Sequence, residues 1–264
     1  MIDKYLNKIT CGDNCVLIKD LPDNCIDLTV TSPPYDNLRE YNGYSFDFET
    51  LAKELYRVTK QGGVVVWIVS DATINGSESG TSFKQALFFK ECGFNLHDTM
   101  IWAKETMTFP DNTRYGNAFE YMFVLSKGKP KTFNPIRDKE NKWSGTAVHG
   151  TSRNPNGEIF RKSNDKKTDV AEFGFRLNWW QQFGVKSSNE RVGHPAPFPE
   201  KLVKDHIISW SNEGDVVFDP FMGSGTTALC ARLLGRKYVG FEISQEYVDM
   251  ANARNSQLTL FEVY

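Results

Sequence analysis

Short apolar runs rich in β-branched residues alternate with segments whose apolar residues recur at helical spacing, and this alternation restricts the fold most. Residues 25–32 form one such run, which ends at two prolines, and residues 64–71 form a second. Residues 48–63, between them, carry leucine and valine on one helical face. Continuous apolar runs are typical of parallel strands buried on both faces. Strands that alternate with helices predict an α/β protein with a doubly wound, mostly parallel sheet and helices on both faces.

The same reasoning predicts the remaining elements. We expect Gly62 and Gly63 to end the helix of residues 48–63, and Ser244 to cap the last helix. The other predicted helices are 83–94, 200–212, 226–235 and 244–255, and the other predicted strands are 97–104, 120–128, 215–221 and 237–243. A chain of 264 residues buries about 70% of its unfolded surface. We therefore expect one domain over residues 1–264.

The charge is distributed unevenly. A formal net charge of −2 argues at first against a nucleic-acid-binding protein, because such domains are usually basic. Residues 127–167, however, contain eleven Lys and Arg against four Asp and Glu, so this stretch carries +7 and the rest of the chain −9. The stretch has little periodicity and is rich in Asn, Gly, Pro and Ser. We interpret residues 129–193 as an irregular basic insertion that contacts a polyanion, with a solvated surface loop as the alternative.

Several classes of protein are disfavoured by composition. The longest strongly apolar run has six residues, whereas a membrane-spanning helix needs about 20. The N-terminal residues lack the apolar segment of a secretory signal. The five cysteines form no C-x-x-C pair and no Cys/His cluster with zinc spacing. We therefore expect a cytoplasmic protein with no metal site and no membrane partner.

A glycine-rich loop follows one of the predicted strands. Gly223, Gly225 and Ala228 fit the pattern G-x-G-x-x-A between a strand and a helix, which is typical of loops that approach a nucleotide. Glu242 ends the next predicted strand, where an acidic side chain binds ribose hydroxyls. Asp219 would place a carboxylate where a pyrophosphate must lie, and a carboxylate suits a cationic group such as an amino acid ammonium. A nicotinamide or flavin site remains the alternative.

A second motif, TSPPY at residues 31–35, follows the first predicted strand. Pro33 and Pro34 fix φ and remove two backbone N–H donors, so the loop presents carbonyl acceptors. Ser32 adds a hydroxyl and Tyr35 adds a flat ring. This combination suits the binding of a planar amino group while the ring stacks on its base. A structural turn with a core tyrosine is the alternative.

These two motifs resemble those of a known enzyme family. TSPPY is similar to the catalytic motif of the amino-group DNA methyltransferases, and DPFMGSGTT at residues 219–227 resembles their S-adenosylmethionine loop. The catalytic motif comes first and a target-recognition segment separates the two, an order that resembles the β class. The resemblance implies a methyltransferase-like, Rossmann-related sheet. Further similar blocks are 12–35, 194–207 and 238–244, and matching stretches cover most of 12–128 and 194–255.

The resemblance implies methyl transfer from S-adenosylmethionine to the exocyclic amine of a base flipped out of double-stranded DNA. Ser32 Oγ and the Pro33 carbonyl would accept the two amine hydrogens, Pro34 would stiffen the loop, and Tyr35 would stack on the base. The implied cofactor contacts are Asp219, Phe221, Gly223, Gly225 and Thr226 at the methionine end, Glu242 at the ribose, Asp13 at the adenine amino group and Lys201 near the carboxylate.

The absence of a Cys-Pro pair limits the choice of target base. None of the five cysteines precedes proline, which argues against C5 methylation of cytosine, because that family uses a Cys-Pro nucleophile. In the amino-methylating family SPPY is associated more with N4 of cytosine, so we predict N4-cytosine, with N6 of adenine as the alternative. The DNA contacts predicted in the insertion are Arg137, Arg153, Arg161 and Lys162. Its tryptophans, which either stack on bases or belong to the core, are Trp143, Trp179 and Trp180.

Three other interpretations remain open. An RNA or protein amine methyltransferase usually has its cofactor loop before the PPY motif, opposite to this chain. A nicotinamide-dependent oxidoreductase leaves TSPPY and the basic insertion unexplained, and the intact SPPY argues against a non-catalytic DNA-binding protein.

The expected partner is double-stranded DNA. The sequence leaves open a cognate restriction endonuclease, a solitary role, and the choice between a monomer and a homodimer.

Overall fold

The computed structural model describes residues 2–34, 47–104, 112–147, 151–161, 169–181 and 199–257. Tyr35 and Lys162, named above for the catalytic motif and for DNA contact, lie outside the described residues, as does the side chain of Arg161. The chain forms two compact units, a large one of residues 1–134 with 178–264 and a small one of Pro135–Leu177. None of the helices within the described residues combines the length and apolar character that a membrane crossing requires.

The described elements are as follows. The strands are β1 (Lys8–Cys11), β2 (Ile26–Thr31), β3 (Thr59–Val69), β4 (Thr73–Ile74), β5 (Ser77–Glu78), β6 (Asn95–Ala103), β7 (Phe119–Ser126), β8 (Arg137–Glu140), β9 (Thr151–Arg153), β10 (Ile159–Arg161), β11 (Phe173–Phe175), β12 (Trp179–Gln181), β13 (Val216–Asp219) and β14 (Lys237–Glu242). The helices are α1 (Asn14–Leu17), α2 (Phe48–Val58), α3 (Thr81–Glu91), α4 (Glu200–Trp210), α5 (Thr226–Leu233) and α6 (Gln245–Gln257), and two short 3₁₀ helices are Ile2–Lys4 and Ile18–Asp20.

The large unit contains an eight-stranded sheet in the order β1-β14-β13-β2-β3-β7-β6-β12. Five of the seven neighbouring pairs in this described sheet are parallel, and only the two pairs that include β7 are antiparallel. The predicted α/β sheet, doubly wound and mostly parallel, is therefore confirmed. The antiparallel pairing of β7 with both β3 and β6 makes the sheet mixed at this side.

The central strand β3 explains how both faces of the sheet are filled. Val64, Val66 and Ile68 pack in one apolar cluster with residues of α4, α5 and α6. The intervening Val65 and Trp67 pack in a second cluster with residues of α2 and α3. Side chains alternate between the two faces of a strand, so a strand covered on both faces must be apolar at every position. This requirement accounts for the continuous apolar run of the sequence.

The predicted end of the second helix was wrong. We expected the glycine pair to end the helix of residues 48–63, but α2 ends at Val58. Thr59 leaves the helical conformation, and both its N–H and its hydroxyl donate to the Leu55 carbonyl at the helix end. Thr59 then pairs with Ile26, so the chain enters β3 at once. Gly62 adopts a φ of 80°, which no helix accommodates.

The small unit, Pro135–Leu177, covers fewer residues than the insertion predicted for residues 129–193. Within it β9 pairs with β10 and β8 with β11, both antiparallel. Residues 178–181 belong to the large unit, because β12 extends the large sheet by parallel pairing with β6. Trp180 of this strand is buried and stacks on His206 with ring centroids 4.5 Å apart. Trp180 is therefore a core residue, whereas Trp143 is 74% exposed and Trp179 remains partly exposed.

Candidate active site

The two predicted motifs meet at one edge of the large sheet. β13 lies between β14 and β2, and all three strands are parallel. Their carboxyl ends therefore lie together, and they carry the SPPY loop, the glycine loop and Glu242. Crevices at the carboxyl ends of such strands are the usual ligand sites of open α/β sheets.

A buried carboxylate joins the two motifs. The Thr31 hydroxyl donates to Asp219 Oδ1 at 2.7 Å, and the Thr227 hydroxyl donates to Oδ2, also at 2.7 Å. The Phe221 N–H donates to Oδ1 at 3.0 Å. Asp219 is 2% exposed. Both of its oxygens thus accept hydrogen bonds from the protein. The sequence predicted a contact of Asp219 with the cofactor and did not indicate these bonds.

Burial controls the ionisation of Asp219. Loss of water raises the pKa of this carboxyl to about 6, and the negative charge of Glu242 adds to the increase. The hydrogen bonds from Thr31, Thr227 and the Phe221 N–H favour the charged form and lower the pKa in part. At neutral pH the carboxylate is ionised and acts only as an acceptor.

The glycine loop approaches neighbouring backbone closely. Gly223 and Gly225 have φ values of 51° and 82°, which favour glycine. Gly225 caps α5, and a Cβ at this position would lie 2.7 Å from the Cβ of Ala251 in α6. The Gly223 N–H donates to Glu242 Oε2 at 2.8 Å, and the Ser244 N–H donates to Oε1 at 3.0 Å. Glu242 therefore connects the glycine loop to the start of α6.

An ion pair that the sequence analysis missed supports the other side of this loop. Arg254 donates from Nη1 to the Thr226 hydroxyl at 2.9 Å and to the Ser224 carbonyl at 3.4 Å. Its Nη2 donates to Glu200 Oε1 at 2.8 Å. The Thr226 hydroxyl, predicted to contact the cofactor, is thus bound by Arg254. No sequence pattern indicates this contact, because α4 and α6 become neighbours of the loop only in the fold.

The ion pairs also set the ionisation of Glu200. Burial alone would raise the pKa of this carboxyl, but hydrogen bonds and charge interactions with Lys204 and Arg254 outweigh burial and lower it. Arg254 is 13% exposed at its side chain, so solvent screens this pair only partly.

The segment predicted to contact the adenine group lies beside the same loop. The Gly12 N–H donates to the Glu242 carbonyl at 2.9 Å. Asp13 is exposed and its Oδ1 accepts the Cys15 N–H at 2.7 Å, which caps α1. The buried Asn14 donates from Nδ2 to the Pro220 carbonyl at 3.1 Å. Asn14 is a further residue of this site that sequence reasoning missed.

The remaining predicted residues of the large unit range from buried to exposed. Ser32 and Pro34 are half-buried and Pro33 is buried. Phe221 is half-buried, with its ring 6.4 Å from that of Trp67. Lys201 lies on α4, its side chain is 59% exposed, and its Nζ lies 3.0 Å from Asp205 Oδ2.

Three predicted DNA contacts lie on strands of the small unit, namely Arg137 on β8, Arg153 on β9 and Arg161 on β10. The Arg137 guanidinium stacks over the Phe175 ring at 4.3 Å. Arg153 ends β9 and is exposed. A neighbouring arginine, Arg176, donates from Nε to Asp138 at 2.8 Å. The unit thus presents arginine and aromatic side chains on short antiparallel strands.

Comparisons with known proteins identify a family and several relatives that this chain resembles. The family model described as DNA methylase, for N6 and N4 methyltransferases, matches residues 26–253. The orphan methyltransferase M.BamHII of Bacillus amyloliquefaciens is 59% identical over 242 residues, which cover 89% of this chain and 91% of the relative. The type II methyltransferase M.ScaI of Streptomyces caespitosus is 31% identical over 92% of this chain and 79% of its own.

Solved structures share the fold at low sequence identity. The PvuII DNA methyltransferase, described as cytosine-N4-specific, has a TM-score of 0.68 and 21% identity over 95% of this chain and 89% of its own. TTHA0409 of Thermus thermophilus, described as a putative DNA modification methylase and solved with S-adenosyl-L-methionine, has a TM-score of 0.65 and 24% identity over 95% of this chain and 93% of its own.

Proposed function

The chain belongs to the N6/N4 DNA methylase family, and on that premise we propose that it methylates N4 of cytosine in double-stranded DNA. It is a DNA methyltransferase that depends on S-adenosylmethionine. One observation supports the proposed site most: the Asp219 carboxylate joins the strand that ends in Thr31 to Thr227 of the glycine loop. Ser32, next along the chain, is thereby held near the loop proposed to bind the methyl donor.

The residues at the carboxyl edge fit this cofactor. Two loop glycines with positive φ allow the tight turn between β13 and α5, and an acidic side chain, Glu242, ends the adjacent strand. When bound, the cofactor supplies an activated methyl group, so the protein has mainly to position the acceptor. The residues proposed to hold it are Asp13, Phe221, Gly223, Gly225, Thr226, Glu242 and Lys201, whereas Asp219 is proposed to shape the loop without touching the cofactor.

The SPPY loop is proposed to bind the target amine. The lone pair of this amine is delocalised into the base, so the amine is a weak nucleophile. Ser32 Oγ and the Pro33 carbonyl accept its two hydrogens, turn the lone pair toward the methyl group and stabilise the positive charge that develops. Tyr35 stacks on the base, which must leave the duplex because its amine is otherwise paired.

Replacing Ser32 tests this assignment. Ser32→Ala removes one of the two acceptors, so the methyl-transfer rate is expected to fall about 10²- to 10³-fold with cofactor affinity unchanged. Rates are measured with radiolabelled S-adenosylmethionine and DNA, and affinity is measured by calorimetry with S-adenosylhomocysteine. The matched control is Ser256→Ala, at an exposed serine near the end of α6. Normal turnover of Ser32→Ala would refute the role of this hydroxyl.

The modified base is identified directly. DNA methylated by the protein is digested to nucleosides and analysed by mass spectrometry. N4-methyl-2′-deoxycytidine supports the proposal, whereas N6-methyl-2′-deoxyadenosine supports the alternative base. Methyl transfer to RNA or protein in place of DNA would contradict the choice of substrate.

Two biological roles are consistent with the relatives, a solitary role and a restriction–modification role, because M.BamHII is described as orphan and M.ScaI as type II. Resistance of the methylated DNA to an endonuclease encoded beside the gene would support a restriction–modification role.

We also propose that the insertion, residues 129–193 with the small unit at its centre, reads the DNA sequence. Its proposed contacts are Arg137, Arg153, Arg161 and Lys162, in the stretch that carries a net charge of +7. The slope of log K against log salt is negative, and each arginine that neutralises a phosphate increases its magnitude by about 0.9. Arg137→Gln combined with Arg153→Gln should reduce the magnitude of that slope by about 2, whereas Lys53→Gln on α2 should leave it unchanged. An unchanged slope in the double variant would exclude these phosphate contacts.

A further inference from the structure

We propose that Asp219 is a positioning residue that connects the glycine loop to the SPPY loop. It keeps the site for the target amine aligned with the site for the methyl donor. This inference rests on the proposed role of Ser32. It assigns to Asp219 a task that differs from binding the cofactor ammonium. The bridge from Thr31 through Asp219 to Thr227 affects the rate of methyl transfer and leaves the affinity for the cofactor unchanged.

The sheet itself leaves this connection to side chains. The pairing of β13 with β2 consists of Val217 with Leu28 and Phe218 with Thr29. Beyond these pairs the hydrogen bond between Asp219 and Thr31 continues the connection between the two strands. Thr31 immediately precedes Ser32, so a shift of this hydroxyl is transmitted to the catalytic loop through a single peptide unit.

The chemistry of the carboxylate makes the bridge specific. Each oxygen of Asp219 has one threonine hydroxyl at 2.7 Å, and both threonines are buried. An ionised carboxylate accepts hydrogen bonds but donates none, so it orients both hydroxyls toward itself. An asparagine would offer one oxygen acceptor and an amide that must find an acceptor of its own. The acid is therefore suited to hold two loops at once.

The position of Asp219 argues against direct contact with a ligand. Its side chain is buried, and both oxygens are already bound by protein donors. A cationic ligand would have to displace one of these short hydrogen bonds.

Misalignment of the two loops should affect the chemical step. A displacement of about 1 Å between reacting groups costs on the order of 10²-fold in rate. Thr31→Val keeps the branched shape of the side chain and replaces the hydroxyl with a methyl group, which cannot donate to Asp219. We expect a 10- to 100-fold slower methyl transfer in this variant, with S-adenosylhomocysteine affinity within about twofold of the original chain. Thr31→Ser keeps the hydroxyl and should restore most of the rate.

The experiment is single-turnover methyl transfer to DNA under saturating cofactor, with calorimetric binding of S-adenosylhomocysteine measured on each variant. Asp219→Asn should slow the reaction, and adding Thr31→Val to it should slow the reaction no further, because the bridge is already broken. The proposal is overturned if Thr31→Val reacts at the original rate, if Thr31→Ser is as slow as Thr31→Val, or if the two losses multiply. Retained affinity for S-adenosylhomocysteine shows that a slow variant is folded, and Thr31→Ala replaces Thr31→Val if the latter does not fold.

Failure of this proposal is distinguishable from failure of the proposed function. If the original chain methylates DNA and Ser32→Ala is inactive while Thr31→Val is normal, only the positioning role of Asp219 is refuted. If Ser32→Ala is fully active, the role of the SPPY loop is refuted, and the positioning role that depends on it is refuted as well.

Discussion

Gly225→Ala tests the close packing of the glycine loop against α6. The substitution adds a single methyl group at the residue that caps α5, where φ is 82°. The new Cβ would lie 2.7 Å from Ala251 Cβ and 3.1 Å from Ala251 Cα. Neither neighbour is the end of a flexible side chain, so relief requires movement of the loop or of α6.

The expected cost has two parts. A left-handed conformation costs an L-residue about 1–2 kcal/mol relative to glycine. Overpacking of a filled site costs about 1–3 kcal/mol more. The free energy of unfolding of Gly225→Ala should therefore fall by about 2–5 kcal/mol. Gly214→Ala is the matched control, because Gly214 has a φ of 81° but a Cβ added there would meet no heavy atom within 4 Å.

Urea denaturation of both variants separates the cost of the left-handed conformation from the cost of overpacking. Gly214→Ala should lose only the conformational term, about 1–2 kcal/mol, so the difference between the variants measures the contact with Ala251. Adding Ala251→Gly to Gly225→Ala should recover part of that difference despite the lower helix propensity of glycine. Equal destabilisation by Gly225→Ala and Gly214→Ala would show that the loop is not packed against α6 as described.

Two further predictions concern buried charges. Because the native pKa of Asp219 is raised to about 6 from 3.8, the folded protein binds this proton more tightly than the unfolded chain, and stability falls as pH rises through this range. Between about pH 5 and pH 8 the free energy of unfolding of the original chain should fall by about 1 kcal/mol more than that of Asp219→Asn, as measured by urea titration at each pH, and parallel curves would contradict the shift. Arg254→Met leaves Glu200 with fewer partners and the Thr226 hydroxyl without its donor, so it should destabilise the protein by about 1–3 kcal/mol. Lys204→Met removes a more exposed partner of Glu200 and should cost less than about 1 kcal/mol, whereas equal losses would mean that the Arg254 contacts add nothing.

The elements that the sequence predicted well are those set by local pattern. The apolar run of β3 indicated a strand buried on both faces, since side chains alternate across a sheet. The glycine pattern indicated the loop before α5, since only glycine adopts the required φ values without strain. The end of α2 at Val58 was predicted wrongly, because a glycine pair is a strong local signal for a helix end whereas Thr59 carries none. The pairing of Thr59 with β2 decides that boundary, and pairing partners are remote in sequence.

The α/β class, the two motifs and their order follow from local patterns in the chain, because periodicity, proline and glycine act through neighbouring residues. The contacts that join those motifs depend on how the chain folds in three dimensions. The Asp219 bridge connects residues 188 positions apart, and the contact of Arg254 with the glycine loop depends on how α6 packs beside α5. Such contacts follow from strand order and helix packing, which place distant side chains within hydrogen-bonding distance and which no local pattern encodes.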